Sequence, residues 1–142
     1  MFSDSVIDKA MVQAYLETEY RVFGNAPFTL KIGISSPALA ALHKAHRVTS
    51  SAYITACNPF SQVFDEVDNV KRQKAFAGEL QTQPLVFIDG IGQHPSNKWC
   101  GEPSFLVLGL SLEAAKALGV ANEQNAIVWC GPDAVPQLIL LR

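Results

Sequence analysis

Ser104 to Leu110 reads SFLVLGL, a near-continuous apolar run, and Ser51 to Cys57 reads SAYITAC. Runs of this length and character are buried strands, and buried strands need helices to cover them. The stretches between them supply that cover. Helical spacing runs over about residues 6 to 19, where Ile7, Met11, Ala14, Tyr15 and Thr18 share a stripe capped by Asp4 or Ser5. Ser36-Pro37 opens a second helix, with Ser36 as N-cap, Pro37 at the first position and Leu39, Leu42 and Ala45 on its buried side. A third helix is expected from about Asp68 to Leu80. A fourth is expected over Leu112 to Leu118, capped by Ser111, with Gly119 just past its end.

The remaining strands are Tyr20 to Phe23, Phe28 to Ile34, Leu85 to Ile88, Ala126 to Cys130 and Gln137 to Leu141. Gly24 to Pro27 turns the first two into a hairpin, and Gly131-Pro132 begins the turn between the last two. Helices alternating with apolar strands predict a single α/β (α+β) domain over residues 1 to 142. The expected architecture is a sandwich with a mixed parallel and antiparallel sheet flanked by helices. A helix between two strands makes them run the same way. Strands 51–57 and 85–88 should therefore be parallel, as should 104–110 and 126–130. The long loop Asp89 to Pro103 reverses the chain between the two pairs.

That topology collects polar residues at one sheet edge. Asn58 and Ser61 follow one strand, residues 89 to 102 link two others, and Gln124 and Asn125 precede a fourth. Strand ends of this kind are where ligands bind in α/β sheets. Arg72 lies early in the third helix, where a cation opposes the dipole, so it needs a partner. An anionic ligand group is one partner; Asp65, Asp68 or Glu102 is another. The 89–103 loop exceeds the ~4–6 residues typical of connections, which suits a binding loop or a packed surface loop. Within it Trp99 offers a stacking face and His94 a proton-transfer group.

Composition removes several function classes. Apolar residues make 49% of the chain, charged residues 17% and the net charge is −2, so a nucleic-acid footprint is not expected. No apolar run reaches the ~20 residues of a membrane helix, and the N-terminus lacks the pattern of a signal peptide. The three cysteines, Cys57, Cys100 and Cys130, read as reduced thiols of a cytoplasmic protein. His43 and His46 are spaced i, i+3 but have no acidic or cysteine partner nearby in sequence, so no metal and no cofactor are expected. Gly90-Ile91-Gly92 lacks the third glycine of a dinucleotide fingerprint.

Tyr53-Ile54-Thr55-Ala56-Cys57-Asn58-Pro59-Phe60-Ser61 resembles a YITAxNPxS block, and Asn69 and Arg72 match the positions that follow it. Trp99 with Gly101-Glu102-Pro103-Ser104-Phe105 resembles a W-x-x-EPSF block, and Gln124 to Trp129 a QNAIVW block. In this order the blocks resemble the bacterial domain-of-unknown-function family DUF3293. The resemblance implies a fold and a set of signature positions, and no activity.

Two functional readings follow. The first is a small-molecule-binding domain, with an enzymatic role left open. Asn58, Ser61, Gln124 and Asn125 would bond a small polar or anionic ligand, Arg72 would face its charge and Trp99 would cover it. Glu102, a carboxyl beside apolar groups, would serve as general acid or base. The second is an interaction or homodimerisation module that uses the apolar C-terminal strand as an open sheet edge.

Overall fold

A computed structural model describes residues 5–96 and 100–142. Side-chain caps define where its helices begin. Asp8 accepts from the Ala10 amide and starts α1 (Lys9–Glu17), in place of Asp4 or Ser5. Ser36 accepts from the Leu39 amide, and Pro37 is the first residue of α2 (Pro37–Ala45). Asp65 caps α3 (Glu66–Thr82) and Ser111 caps α4 (Leu112–Ala121). Gly119 does not end α4 but lies within it. A Cβ there would stand 2.5 Å from Leu141 Cδ1 and 2.8 Å from Ile127 Cγ2. Glycine lets the helix press onto the sheet, and Glu123, at φ 58°, takes the left-handed position beyond the helix end.

The strands are β1 (Glu19–Val22), β2 (Phe28–Leu30), β3 (Ser51–Ile54), β4 (Phe87–Gln93), β5 (Glu102–Leu108), β6 (Ala126–Cys130) and β7 (Pro136–Leu140). They form one sheet in the order β2-β1-β4-β5-β3-β6-β7. Every pairing in it is antiparallel, which corrects the expectation of a mixed sheet. The expected directions hold: β3 runs the same way as β4, and β5 the same way as β6. Neither pair is adjacent. β5 hairpins directly onto β4 and then separates it from β3, while β3 lies between β5 and β6. α3 and α4 therefore each connect strands that are two places apart. Both expected hairpins, β1–β2 and β6–β7, are present.

Much of the expected 89–103 loop is strand. β4 continues through Asp89, Gly90, Ile91 and Gly92, and β5 begins at Glu102. The glycines read as loop residues because their reason is tertiary. A Cβ on Gly90 would stand 2.2 Å from the Arg21 carbonyl and 2.8 Å from the Tyr53 hydroxyl, so only glycine lets strand and ring meet.

Side chains alternate between two cores. Ala52, Ile54, Phe105 and Val107 pack with Phe76 and Leu80 of α3 and Ala115 and Leu118 of α4. Tyr20, Tyr53, Leu106 and Leu108 face the other way, toward Leu39 of α2. Helices thus cover both faces, at ~1.5–3 kcal/mol for each large apolar side chain buried. On the second face Tyr53, Thr55, Glu102 and Ser104 continue toward α1, where polar groups replace the aliphatic ones.

Candidate functional site

The site starts from the chain leaving β3. Asn58, Phe60 and Ser61 all have positive φ, at 48°, 54° and 59°. Left-handed backbone at non-glycine residues costs on the order of 1–3 kcal/mol each and persists only where surroundings enforce it. Here side chains hold the backbone group by group. Gln73 Oε1 accepts from the Ala56 amide at 3.0 Å, and Arg72 Nε donates to the Ala56 carbonyl at 2.7 Å. Thr55 Oγ1 accepts from the Cys57 amide, Gln124 Nε2 donates to the Cys57 carbonyl, and Asn69 Oδ1 accepts from the Asn58 amide.

Arg72 is consumed by this clamp. Its Nη2 donates to the Asn122 carbonyl at 3.0 Å and its Nη1 lies 3.4 Å from Glu123. Asn122 ends α4, so Arg72 complements that helix's dipole; α3 begins at Glu66, which puts Arg72 past the first turn of its own helix. Its partners are carbonyls and Glu123, rather than Asp65, Asp68 or Glu102.

Asn58 links the clamp to the carboxyl. Its Oδ1 accepts from the Phe64 amide and from Asn69 Nδ2, and its Nδ2 donates to Glu102 Oε2 at 2.8 Å. Glu102 has that one hydrogen bond and no ion pair among the described residues. Burial pushes its pKa above the ordinary glutamate range, and the bond from Asn58 only partly offsets this.

The other side of Glu102 opens on a cleft of about 390 Å³ between α1 and the sheet. Ser61, Gln124 and Asn125 line it together with Tyr15, Tyr20, Tyr53 and His94. Tyr15 Oη and Ser61 Oγ are 2.5 Å apart, and Asn125 Nδ2 donates to Tyr15 Oη at 3.2 Å. His94 Nε2 lies 2.9 Å from Glu17 and its Nδ1 accepts from the Ser96 amide. The fold therefore brings Ser61, Glu102, Gln124 and Asn125 around one cavity, with Asn58 at its border and Arg72 behind the loop. Trp99 lies outside the described residues. The tyrosines escaped sequence reasoning because each sits on an apolar stripe. Their signal was chemical: a buried phenol needs a partner for its hydroxyl.

A larger groove of about 1160 Å³ follows α3 on the opposite face, lined by Phe64, Val70, Gln73 and Ile91 among others. It shares Glu102 with the cleft, but its Asn58 and Asn69 are bonded to each other. Among the described residues no helix is long and apolar enough to cross a membrane, and no group of three or more His, Cys, Asp or Glu could hold a metal ion. His43 instead bonds Ser51 Oγ at 2.8 Å inside the core.

A family model described as "Protein of unknown function (DUF3293)" matches residues 54–127, more than half of the chain. The chain belongs to that family. No curated protein and no solved structure matches it. The stretch matched to DUF3293 runs from β3 into β6. It contains Asn58, Ser61, Asn69, Arg72, Glu102, Gln124 and Asn125, so both the clamp and the Glu102 carboxyl lie within it. α1, which supplies Tyr15 and closes the cleft, precedes it.

Proposed function

We propose that the protein binds a small polar molecule in the cleft between α1 and the sheet, with Glu102 as the group that meets it. One observation carries this reading. Among the described residues, Glu102 is a desolvated carboxyl with a single hydrogen bond to its side chain and no cation, at the wall of a cavity of about 390 Å³. A carboxyl in this state costs stability unless a ligand satisfies it. The cavity lies within the ~300–1,000 Å³ of small-molecule sites. The strained loop at Asn58 to Ser61 supports the same reading, because such backbone collects where a side chain must be aimed. Glu102 is also the group placed to exchange a proton with the occupant.

A thermal-shift panel of amino acids, amines, sugars, nucleotides and divalent metals tests this. A ligand at 100 times its Kd adds about 2.7 kcal/mol to stability. The expected result is a shift in the wild type that is lost in Glu102→Ala. A shift of equal size in both proteins would place binding elsewhere. A second reading, docking of another chain along β7, draws on that strand's place at the end of the sheet. A strict monomer by light scattering would remove the homodimer form of it.

A further inference from the structure

The cleft is unusual in where its protons point. Tyr20 donates its hydroxyl to the Tyr15 carbonyl at 2.6 Å, and Tyr53 donates to the Arg21 carbonyl at 2.8 Å. Thr55 donates to the Pro103 carbonyl, Ser104 to the Glu102 carbonyl and Thr18 to the Ala14 carbonyl. The Gln124 amide group donates to the Cys57 and Asn122 carbonyls. A hydroxyl carries one proton, so each of these side chains has spent its donor on the backbone and keeps only lone pairs. The Tyr15–Ser61 pair holds one spare proton. Glu102 adds a carboxyl, and Asp8 stands at the mouth. Among the described residues no lysine or arginine lines the cleft. Arg142 lies beyond Asn125, its guanidinium 4.4 Å over the Phe60 ring.

We propose that the ligand is a small organic cation, a protonated amine whose N–H groups are received by Glu102 and the surrounding hydroxyl oxygens. This rests on the cleft being the binding site and says what kind of molecule it takes. To a carboxylate or phosphate, whose oxygens need donors, the wall offers only the spare Tyr15–Ser61 proton and the second Asn125 N–H, and among the described residues no lysine or arginine to balance the charge. It suits an ammonium group, which has three donors and no acceptor. Desolvated, the ion pair with Glu102 gains strength from the low dielectric of the cleft. Tyr15, Tyr20 and Tyr53 add aromatic rings, which attract cations. Met11, Ala10 and Ala14 of α1 leave an apolar wall for the hydrocarbon part.

Three probes of one shape decide it: benzylammonium, benzyl alcohol and benzoate, titrated into the full chain and followed by its amide 1H–15N spectrum. Benzylammonium is expected to move the amides of Tyr15, Ser61 and Asn125 and to bind at least about tenfold more tightly than benzyl alcohol. Benzoate is expected to leave them in place. Glu102→Gln keeps an acceptor for Asn58 and removes the charge, so it should erase the ammonium's advantage while the spectrum stays dispersed. Equal or tighter binding of alcohol or benzoate at these amides would overturn the cation assignment and leave the cleft as a site. An advantage that survives in Glu102→Gln would overturn the role of the carboxyl. Silence from all three probes would overturn the inference itself, while the broader panel still judges the cleft.

Discussion

The loop at residues 56–61 and the carboxyl of Glu102 are one hydrogen bond apart, yet their polar groups meet opposite fates. In the loop, the amides and carbonyls of Ala56 and Cys57 and the Asn58 amide each have a side-chain partner. Glu102 has one donor for two oxygens and lies where desolvation disfavours its charge. Two regions built from the same residue types thus differ in purpose. Pairing of these backbone groups makes a rigid scaffold, although Gln73 Nε2 in the clamp is buried with no hydrogen-bond partner. Partial pairing, beside a cavity, leaves a group with capacity for a further partner.

Substitution can break this contrast at several depths. Gly90→Ala strikes β4 where it lies against β1 and Tyr53, a residue that lines the cleft, and the new methyl would meet the Arg21 carbonyl and the Tyr53 ring. Backbone cannot yield as a side-chain tip can. A loss of about 3 kcal/mol or more is expected in urea denaturation. A loss under ~1 kcal/mol would mean that β1 and β4 can move apart cheaply.

Arg72→Ala removes the clamp's cation and its bond to the Ala56 carbonyl, and leaves the Asn122 carbonyl with Gln124 as its side-chain donor. The Arg72 side chain is 26% exposed, so water can partly replace it at the Glu123 end. A loss of about 2 kcal/mol is expected, together with faster amide exchange across residues 56–61. A stability change within ~0.5 kcal/mol would demote Arg72 to surface decoration.

Glu102→Gln should act in the opposite direction. The folded protein raises the pKa of Glu102 above its unfolded value, so the folded state holds this proton more tightly. That contribution to stability is complete below the unfolded value and is lost as pH rises through the folded one. Glutamine never ionises. The variant should match the wild type near pH 4 and exceed it at about pH 7.5, by more than the ~0.5 kcal/mol of an ordinary surface change. The same difference at both pH values would show that Glu102 is as well compensated as the loop beside it.

How much of this was readable in the chain varies with the range of the forces involved. Ser36-Pro37 and Ser111 marked their helices because capping is settled within four residues. The directions of β3, β4, β5 and β6 followed from crossover geometry, and with them the edge that gathers Asn58, Ser61, Glu102, Gln124 and Asn125. The pairing partners did not follow. Which strand inserts between two others depends on side-chain packing across the whole sheet, so the mixed sheet was expected and an antiparallel one formed. By sequence Gly90 falls in a loop and Gly119 just past a helix, whereas both mark close approaches, to Tyr53 and to Leu141.

The same division runs through the site. The sequence by itself determined the residue types: amides and hydroxyls at strand ends, a carboxyl at Glu102, a guanidinium at Arg72. Only the tertiary structure decided which of them are satisfied. Arg72 could face a ligand or a partner within the protein, and packing of α3 against the end of α4 assigned it to the Ala56 and Asn122 carbonyls. Glu102 could have taken that cation and did not. A side chain's chemistry is local, but hydrogen-bond satisfaction depends on which groups the fold brings within about 3 Å and which it withdraws from water.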